Sequence, residues 1–140
     1  IMKRMDMKKI VAVIEKGDGE GYSVYAADDS VPVVGSGLTE AEARDDFEAV
    51  MAEQADYMKE HTGSYPEWKD AQVEYRYDLT AFFRAFPFIN ASEFAKSIGI
   101  NPSLMRKYKN GLAAAGEKQK SLIQAKLTEI VQKMERVKFA

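Results

Sequence analysis

The sequence predicts an α+β protein in which a β-β-β-α-β segment is followed by helices only. Three observations support this prediction. Up to Asp78, short runs of β-branched and aromatic residues are separated by turns, which is typical of strands. After Asp78, apolar residues recur every three or four positions, as on one face of a helix. The net charge changes at the same place, from −9 over residues 1–78 (nine Lys and Arg against eighteen Asp and Glu) to +7 over residues 79–140 (eleven against four).

The first three strands are short and are joined by turns. An apolar run rich in β-branched residues predicts the first strand at Lys9–Ile14. A turn of Gly and Asp residues at Lys16–Gly21 leads into a partner strand at Tyr22–Ala26, so the two strands form a hairpin. After a loop at Asp28–Pro32, a third short strand is predicted at Val33–Gly37.

A capping box predicts the start of the first helix. The Thr39 hydroxyl can accept from the backbone amide of Glu42, while the Glu42 carboxylate reaches back. The helix then has one apolar face, made of Ala43, Phe47, Val50, Met51, Ala55 and Met58. Farther along, Val73, Tyr75 and Tyr77 alternate with charged residues and predict a half-buried fourth strand, which completes an acidic domain over residues 8–78.

A basic, all-helical domain is predicted over residues 79–140. Its helices begin after polar residues that can cap them and end at glycine or proline. The predicted caps are Asp78, Asn90 and Asn101, and the predicted ends are Pro87, Gly99 and Gly111. A longer last helix is predicted over Glu117–Val137.

Residues 92–111 predict two short helices joined by a tight turn. Ala95 is the small residue that two steeply crossing helices need at their contact, and Gly99 supplies the turn. Together with the two Asn caps, these residues resemble a helix-turn-helix of the Xre/Cro type. The second helix of such a pair lies in the DNA major groove while the first crosses the backbone. The predicted DNA-binding residues are Ser103, Arg106, Lys107 and Asn110 on the second helix, with Lys96 and Lys109 beside phosphates. An ordinary helical hairpin with solvated lysines is the alternative.

An ordered set of motifs covers about residues 8–60. It consists of Glu15, then Asp18-Gly19, then Gly21-Tyr22-Ser23-Val24-Tyr25, then Asp28, then Gly35-x-Gly37-x-Thr39-x-x-Glu42-Ala43. In this order the motifs resemble the HicB family of type II toxin–antitoxin systems, although the loop Ala27–Pro32 lacks the family's usual proline and Pro-Gly-Cys turn. The resemblance implies a partial RNase H-like fold without nuclease activity, a HicA-type RNA-cleaving toxin as partner, and repression of the chain's own promoter.

Charge favours the same function on independent grounds. A toxin that grips RNA should be basic, and a domain of net charge −9 can mimic that polyanion. The predicted toxin-binding residues lie on the first hairpin and the loop after it: Tyr22, Tyr25, Asp28, Asp29 and Asp18. The alternatives are sheet packing for the tyrosines and a solvated surface for the acids.

No catalysis, metal or cofactor is expected, and an active nuclease is the least favoured alternative. Asp18, Asp28, Asp29 and Asp46 lie mostly in turns, whereas two-metal sites need carboxylates that converge from packed strands. The single histidine, His61, has no partner for general-base chemistry. Since there is no cysteine and no apolar run of roughly 18 to 20 residues, we expect a cytoplasmic protein with no membrane span.

The last helix carries an apolar stripe that predicts self-association. Its residues are Ile123, Leu127, Ile130, Met134 and Val137. Helix-turn-helix proteins usually pair to span two half-sites about 34 Å apart, so the stripe indicates a homodimer or higher homo-oligomer on operator double-stranded DNA. Packing of the stripe against its own domain is the alternative.

The combined prediction is an antitoxin and autorepressor. The second choice is a stand-alone transcription regulator whose N-terminal domain senses a ligand or a protein.

Overall fold

The computed structural model describes residues 9–17 and 19–140, which divide into two compact units. Unit 1 extends to Ala85, and unit 2 comprises Phe86–Ala140. The elements of unit 1 are β1 (Lys9–Lys16), β2 (Tyr22–Ala26), β3 (Val34–Gly37), α1 (Glu40–Thr62), β4 (Gln72–Tyr77) and α2 (Leu79–Ala85). Those of unit 2 are α3 (Ala91–Ile98), α4 (Pro102–Lys109) and α5 (Glu117–Glu135). Within the described residues the protein therefore has a four-stranded sheet and five helices, in agreement with the predicted α+β class.

The four strands form one mixed sheet in the order β3-β2-β1-β4. The strands β1, β2 and β3 are antiparallel neighbours, while β4 pairs with β1 in parallel. A parallel neighbour needs a long crossover connection, and α1 provides it between β3 and β4. The sheet therefore has β3 and β4 as its edges and β2 and β1 between them.

The core of unit 1 lies between one face of the sheet and α1. Strand periodicity places Ile10, Ala12 and Ile14 on that face of β1, and all three are buried. The buried residues of α1 are Ala43, Phe47, Met51 and Ala55, with Val50 and Met58 packed at the margin. This is the apolar helix face that the sequence predicted. Trp68, in the connection between α1 and β4, is buried in the same core.

Two glycines in β3 allow α1 to lie directly on the sheet. A Cβ atom added at Gly35 would lie 2.6 Å from the Phe47 Cα atom and closer still to the Phe47 nitrogen. A Cβ atom at Gly37 would lie 2.6 Å from the Ala43 nitrogen. Because these neighbours are helix backbone, neither glycine can gain a side chain unless α1 moves away.

A partly buried polar cluster joins the start of α1 to the edge strand β4. The Arg44 guanidinium forms an ion pair of 2.5 Å with Glu40 and lies 4.6 Å from the centre of the Tyr75 ring. The Tyr77 hydroxyl donates to the Glu40 carboxylate. Burial, as the largest cause, raises the pKa of Tyr75 to about 12. These contacts hold α1 against β4, at the edge of the sheet opposite to β3 and its two glycines.

The helix α2 belongs to unit 1, so the boundary predicted after Asp78 differs from the observed one after Ala85. Asp78 donates its backbone N–H to the Ile14 carbonyl (2.9 Å), and the fully buried Ala81 lies in the sheet core. The Arg84 guanidinium donates to the Gly21 carbonyl at 2.6 Å. The change in net charge along the sequence does not reveal this long-range packing. Divided after Ala85, the chain still has net charges of −8 (ten basic against eighteen acidic residues) and +6 (ten against four).

Asp78→Asn is expected to leave unit 1 at least as stable at neutral pH as it is with Asp78. Desolvation raises the pKa of Asp78, and desolvation followed by the charge of Asp78 raises the pKa of Glu15. Raised carboxyl pKa values mean that the folded state binds more protons, so this contribution to stability declines as pH rises from the ordinary to the raised values. An asparagine removes the charge but keeps the oxygen that accepts from the Ala81 amide (2.7 Å).

Urea unfolding followed by the fluorescence of the single, buried Trp68 measures this effect in unit 1. The expected result is a smaller loss of stability between about pH 4 and about pH 7 in Asp78→Asn than in the parent chain. Asp78→Ala is the control, because it also removes the cap and should cost about 1 kcal/mol. A free energy of unfolding at pH 7 that falls as much in Asp78→Asn as in Asp78→Ala would show that the Asp78 charge itself stabilises the fold.

Candidate nucleic-acid interface

Three helix caps, two from asparagine side chains and one at a glycine, hold α3 and α4 in a helix-turn-helix arrangement. The Asn90 side chain accepts from the Glu93 amide at 3.0 Å, and the Asn101 side chain accepts from the Ser103 amide at 2.8 Å. Gly99 ends α3 with a φ of 80°, a left-handed conformation that glycine adopts without a Cβ clash. All three caps are at the residues that the sequence predicted.

A small core fixes the two helices against each other. The buried residues are Phe94, Ala95, Ile98, Ile100, Met105 and Tyr108. Ala95 and Met105 are fully buried, so the predicted small residue does lie inside this core. Leu104, which precedes Met105 on α4, is only partly buried. Since α4 turns Met105 and Tyr108 inward, its opposite side faces solvent.

All six predicted DNA-binding residues are exposed on unit 2. Five lie on α4 or at its end, namely Ser103, Arg106, Lys107, Lys109 and Asn110, and Lys96 lies on α3. Lys96 forms an ion pair of 3.2 Å with Glu93, and both side chains are more than half exposed. An exposed pair of this kind contributes little and can exchange for a phosphate. These six exposed residues form a basic surface, which we call the α4 surface.

Arg106 is held on the α4 surface by two side-chain hydrogen bonds. One terminal nitrogen, Nη1, donates to the Ser92 hydroxyl at 2.8 Å, and the other, Nη2, donates to the Ser103 hydroxyl at 3.0 Å. Sequence reasoning identified Ser103 but missed Ser92. A signal was available, because each serine is the second residue of its helix and follows an Asn cap in the same Asn-x-Ser spacing, at Asn90 and at Asn101.

The apolar stripe of α5 is shorter than predicted. Ile123 is 5% exposed in the single chain, so it is already covered and is not available to a dimer contact. Leu127 and Ile130 are partly buried, while Met134 is 60% exposed. The helix ends at Glu135, so Val137 lies beyond it. The stripe that remains available to a second copy is therefore Leu127, Ile130 and Met134.

The predicted toxin-binding residues are not gathered in one place. Tyr22 lies on the core side of the sheet, where the Arg84 guanidinium is 4.6 Å from the centre of its ring. Tyr25 lies on the opposite side, because residues three apart in a strand point to opposite faces. Tyr22 therefore packs at the margin of the core, as the alternative of sheet packing predicts, and its role as a toxin contact stays a prediction. Asp18 lies outside the described residues.

The loop after β2 keeps two carboxylates at the surface. The Asp28 carboxylate accepts from the Ser30 amide at 2.9 Å and from the Ser30 hydroxyl at 2.7 Å. These two hydrogen bonds hold the pKa of Asp28 below its usual value. Asp29, its neighbour, is also exposed. Both remain available as anionic groups, although Asp28 is also the residue that shapes the loop.

The side of the sheet turned away from α1 carries an apolar row that sequence reasoning missed. The cross-strand pairs place Val13, Tyr25 and Val34 side by side on three neighbouring strands, with Arg76 next in line on β4. Val34 is 59% exposed, while Val13 and Tyr25 are partly buried. We call these four residues the open face. The unbroken apolar run in β1 was the signal, since a strand covered on one side only should alternate.

His61, the histidine considered for catalysis, has contacts within its own helix. His61 lies in the last turn of α1, stacked on Tyr57 at 3.9 Å between ring centres, and its Nδ1 atom is 2.9 Å from the Tyr57 carbonyl oxygen. Among residues 9–17 and 19–140, no group of His, Asp or Glu side chains is arranged to hold a metal ion. In the same part of the chain, every helix is too short or too polar to span a bilayer.

Comparison of the chain with models of protein families, with curated proteins and with solved structures found no match.

Proposed function

We propose that this protein is an antitoxin and autorepressor, which binds operator DNA through unit 2 and neutralises a HicA-type RNA-cleaving toxin through unit 1. The observation that carries the proposal is the α4 surface. There, a capped helix-turn-helix exposes Arg106, Lys107 and Lys109, in a unit of net charge +6 that follows one of −8 along the chain. No enzymatic step is part of the proposal.

The DNA-binding role follows from charge and helix placement. Lysine and arginine side chains on the α4 surface would replace counterions at phosphates, which supplies much of the affinity of any such protein. The start of α4 would meet base edges, where Arg106 can donate to the O6 and N7 atoms of guanine. Unit 1 carries the same charge sign as DNA and would be kept away from it.

The toxin-binding role is supported by unit 1. Its strand order, with β1 between an antiparallel and a parallel neighbour, is compatible with the partial RNase H-like fold that the HicB resemblance implies. The open face offers Tyr25 and Val34, and the exposed Asp28 and Asp29 add negative charge in the next loop. An apolar centre with a charged border is the usual anatomy of a protein interface, and a basic toxin would complement this one.

Self-association through α5 would complete an operator-binding dimer. The helix has 19 residues and is therefore about 28 Å long, and all residues from Val131 onward are exposed. A second copy could cover Leu127, Ile130 and Met134, and two helix-turn-helix units would then face two half-sites.

The first experiment measures DNA binding as a function of salt. The full chain is titrated onto a duplex carrying the DNA upstream of its own coding sequence, and onto a scrambled duplex of equal length, between about 50 and 200 mM salt. Because each phosphate contact contributes about −0.9 to the log–log slope, a dimer with six or more contacts should lose roughly 1,000-fold in affinity. A slope near zero, or equal affinity for the two duplexes, would contradict the repressor proposal.

The second arm tests the toxin. The chain is expressed with the short reading frames that adjoin its own, and the protein that co-purifies is identified. We expect a small basic protein that arrests growth alone and is harmless in the complex. Operator binding without such a partner would favour the stand-alone regulator instead.

A further inference from the structure

The two hydrogen bonds of Arg106 use only some of the N–H donors of its guanidinium. Of its five N–H groups, one on Nη1 is directed at Ser92 and one on Nη2 at Ser103. Each terminal nitrogen thus keeps one hydrogen, and the Nε hydrogen remains as well. Ser92 on α3 and Ser103 on α4 hold the guanidinium, so the orientation of its plane is fixed in the free protein.

A guanidinium held in this way keeps one N–H on each terminal nitrogen, and two neighbouring donors can meet two acceptors that lie side by side. Guanine presents two acceptors, O6 and N7, side by side in the major groove, and a bidentate arginine is the contact that reads them. Holding the side chain in advance reduces the rotamer entropy that binding would otherwise cost. The arrangement favours guanine over adenine, since adenine has a donor where guanine has O6.

We infer that Ser92 is a positioning residue that sets the base specificity of Arg106, and that the base read by Arg106 is a guanine. The inference rests on the proposed DNA-binding function and deepens it. Ser103 lies on the same helix as Arg106, three residues before it, so its contact is local. Ser92 lies on α3 and is 14 residues away, so it alone ties the reading side chain to the other helix.

Ser92 also has a hydrogen to spare. Its oxygen accepts from Arg106, which leaves the hydroxyl hydrogen free to donate to an oxygen atom nearby. In a helix-turn-helix complex the first helix crosses the phosphate backbone. Ser92 would then donate to a phosphate and accept from Arg106 at once, so that backbone position and base reading are coupled through one side chain.

The test is selection of bound sequences from a pool of randomised 30-base-pair duplexes by the full chain and its variants. The variants are Ser92→Ala, Ser92→Thr, Arg106→Ala and Ser97→Ala. Ser97 is the matched control, because it is a serine of α3 whose hydroxyl donates to the Phe94 carbonyl at 2.7 Å and not to the α4 surface. Circular dichroism of each variant checks that unit 2 is folded.

We expect the parent chain to select a motif that contains a guanine on which Arg106→Ala depends. Ser92→Ala should reduce the preference for that guanine about fivefold, while Ser92→Thr and Ser97→Ala should leave it unchanged. Replacing the guanine by 7-deazaguanine removes the N7 acceptor. This replacement should therefore weaken the parent chain more than it weakens Ser92→Ala.

The two levels of the proposal fail differently. If no duplex is selected and binding is independent of salt, both the DNA-binding function and the role of Ser92 are wrong. If a guanine depends on Arg106 but Ser92→Ala selects it as strongly as the parent chain does, only the role of Ser92 is wrong. A motif with no base that depends on Arg106 would also overturn the inference.

Discussion

Gly35→Ala is expected to unfold unit 1 or to destabilise it by about 3 kcal/mol or more. The added methyl group would lie 2.6 Å from the Phe47 Cα atom, and the obstacle is helix backbone rather than a side chain that can rotate. Relief would require α1 to move off β3, which would open the fully buried site of Phe47. This substitution adds one carbon atom and should still have the largest effect on stability of any described here.

Gly63→Ala is the matched control for Gly35→Ala. Gly63 has a φ of 87° and nothing within 4 Å of a Cβ atom, so alanine there meets only the cost of a left-handed backbone, about 1 to 2 kcal/mol. Both glycines belong to unit 1, and Trp68 fluorescence during urea unfolding reports on both variants. A loss for Gly35→Ala no greater than that for Gly63→Ala would show that α1 can withdraw from the sheet at little cost.

Arg106→Ala should weaken binding to the operator roughly 10- to 100-fold for each half-site at constant salt, because a bidentate base contact is worth about 1 to 3 kcal/mol. The side chain is on the exposed surface of unit 2, so its loss leaves the core of Met105 and Tyr108 intact. Neutralisation of the toxin, which we assign to unit 1, should not change. Gel-shift titration measures the first quantity and growth rescue in cells measures the second.

Arg136→Ala separates this base contact from the general effect of charge. Arg136 is an exposed arginine of unit 2 that follows α5, outside the helix-turn-helix. Its substitution removes the same charge and should reduce affinity only slightly and equally for every duplex. Similar losses in Arg106→Ala and Arg136→Ala would mean that net charge, rather than a contact from α4, governs binding.

Features that depend on neighbours in the chain were predicted closely. The caps at Asn90 and Asn101, the turn at Gly99 and the apolar face of α1 all arise from interactions within about four residues, so their signals are contiguous in the sequence. The exposed character of Arg106 and Lys107 followed from the same helical period, because it was enough to know which side of α4 is apolar.

Other features depend on residues that are far apart in the chain. The contact of Arg106 with Ser92 requires the crossing geometry of α3 and α4, which the sequence pattern indicates only in outline. Ile123 was assigned to a dimer contact because a stripe on a single helix does not say whether its own unit covers it. The separation of Tyr22 from Tyr25 is different, because the period of two in a strand already predicts that these two residues lie on opposite faces.

The amino-acid order alone established the α+β class, the two oppositely charged halves and the capped helices with their solvent-facing cations. These features depend on local propensity and composition, which do not depend on the tertiary structure. Tertiary packing was needed to bring β4 alongside β1, to attach α2 to the sheet through Ala81, and to seat the Arg106 guanidinium between two serines. Those outcomes depend on which distant surfaces fit one another sterically, and shape complementarity is a property of the folded molecule rather than of any segment in it.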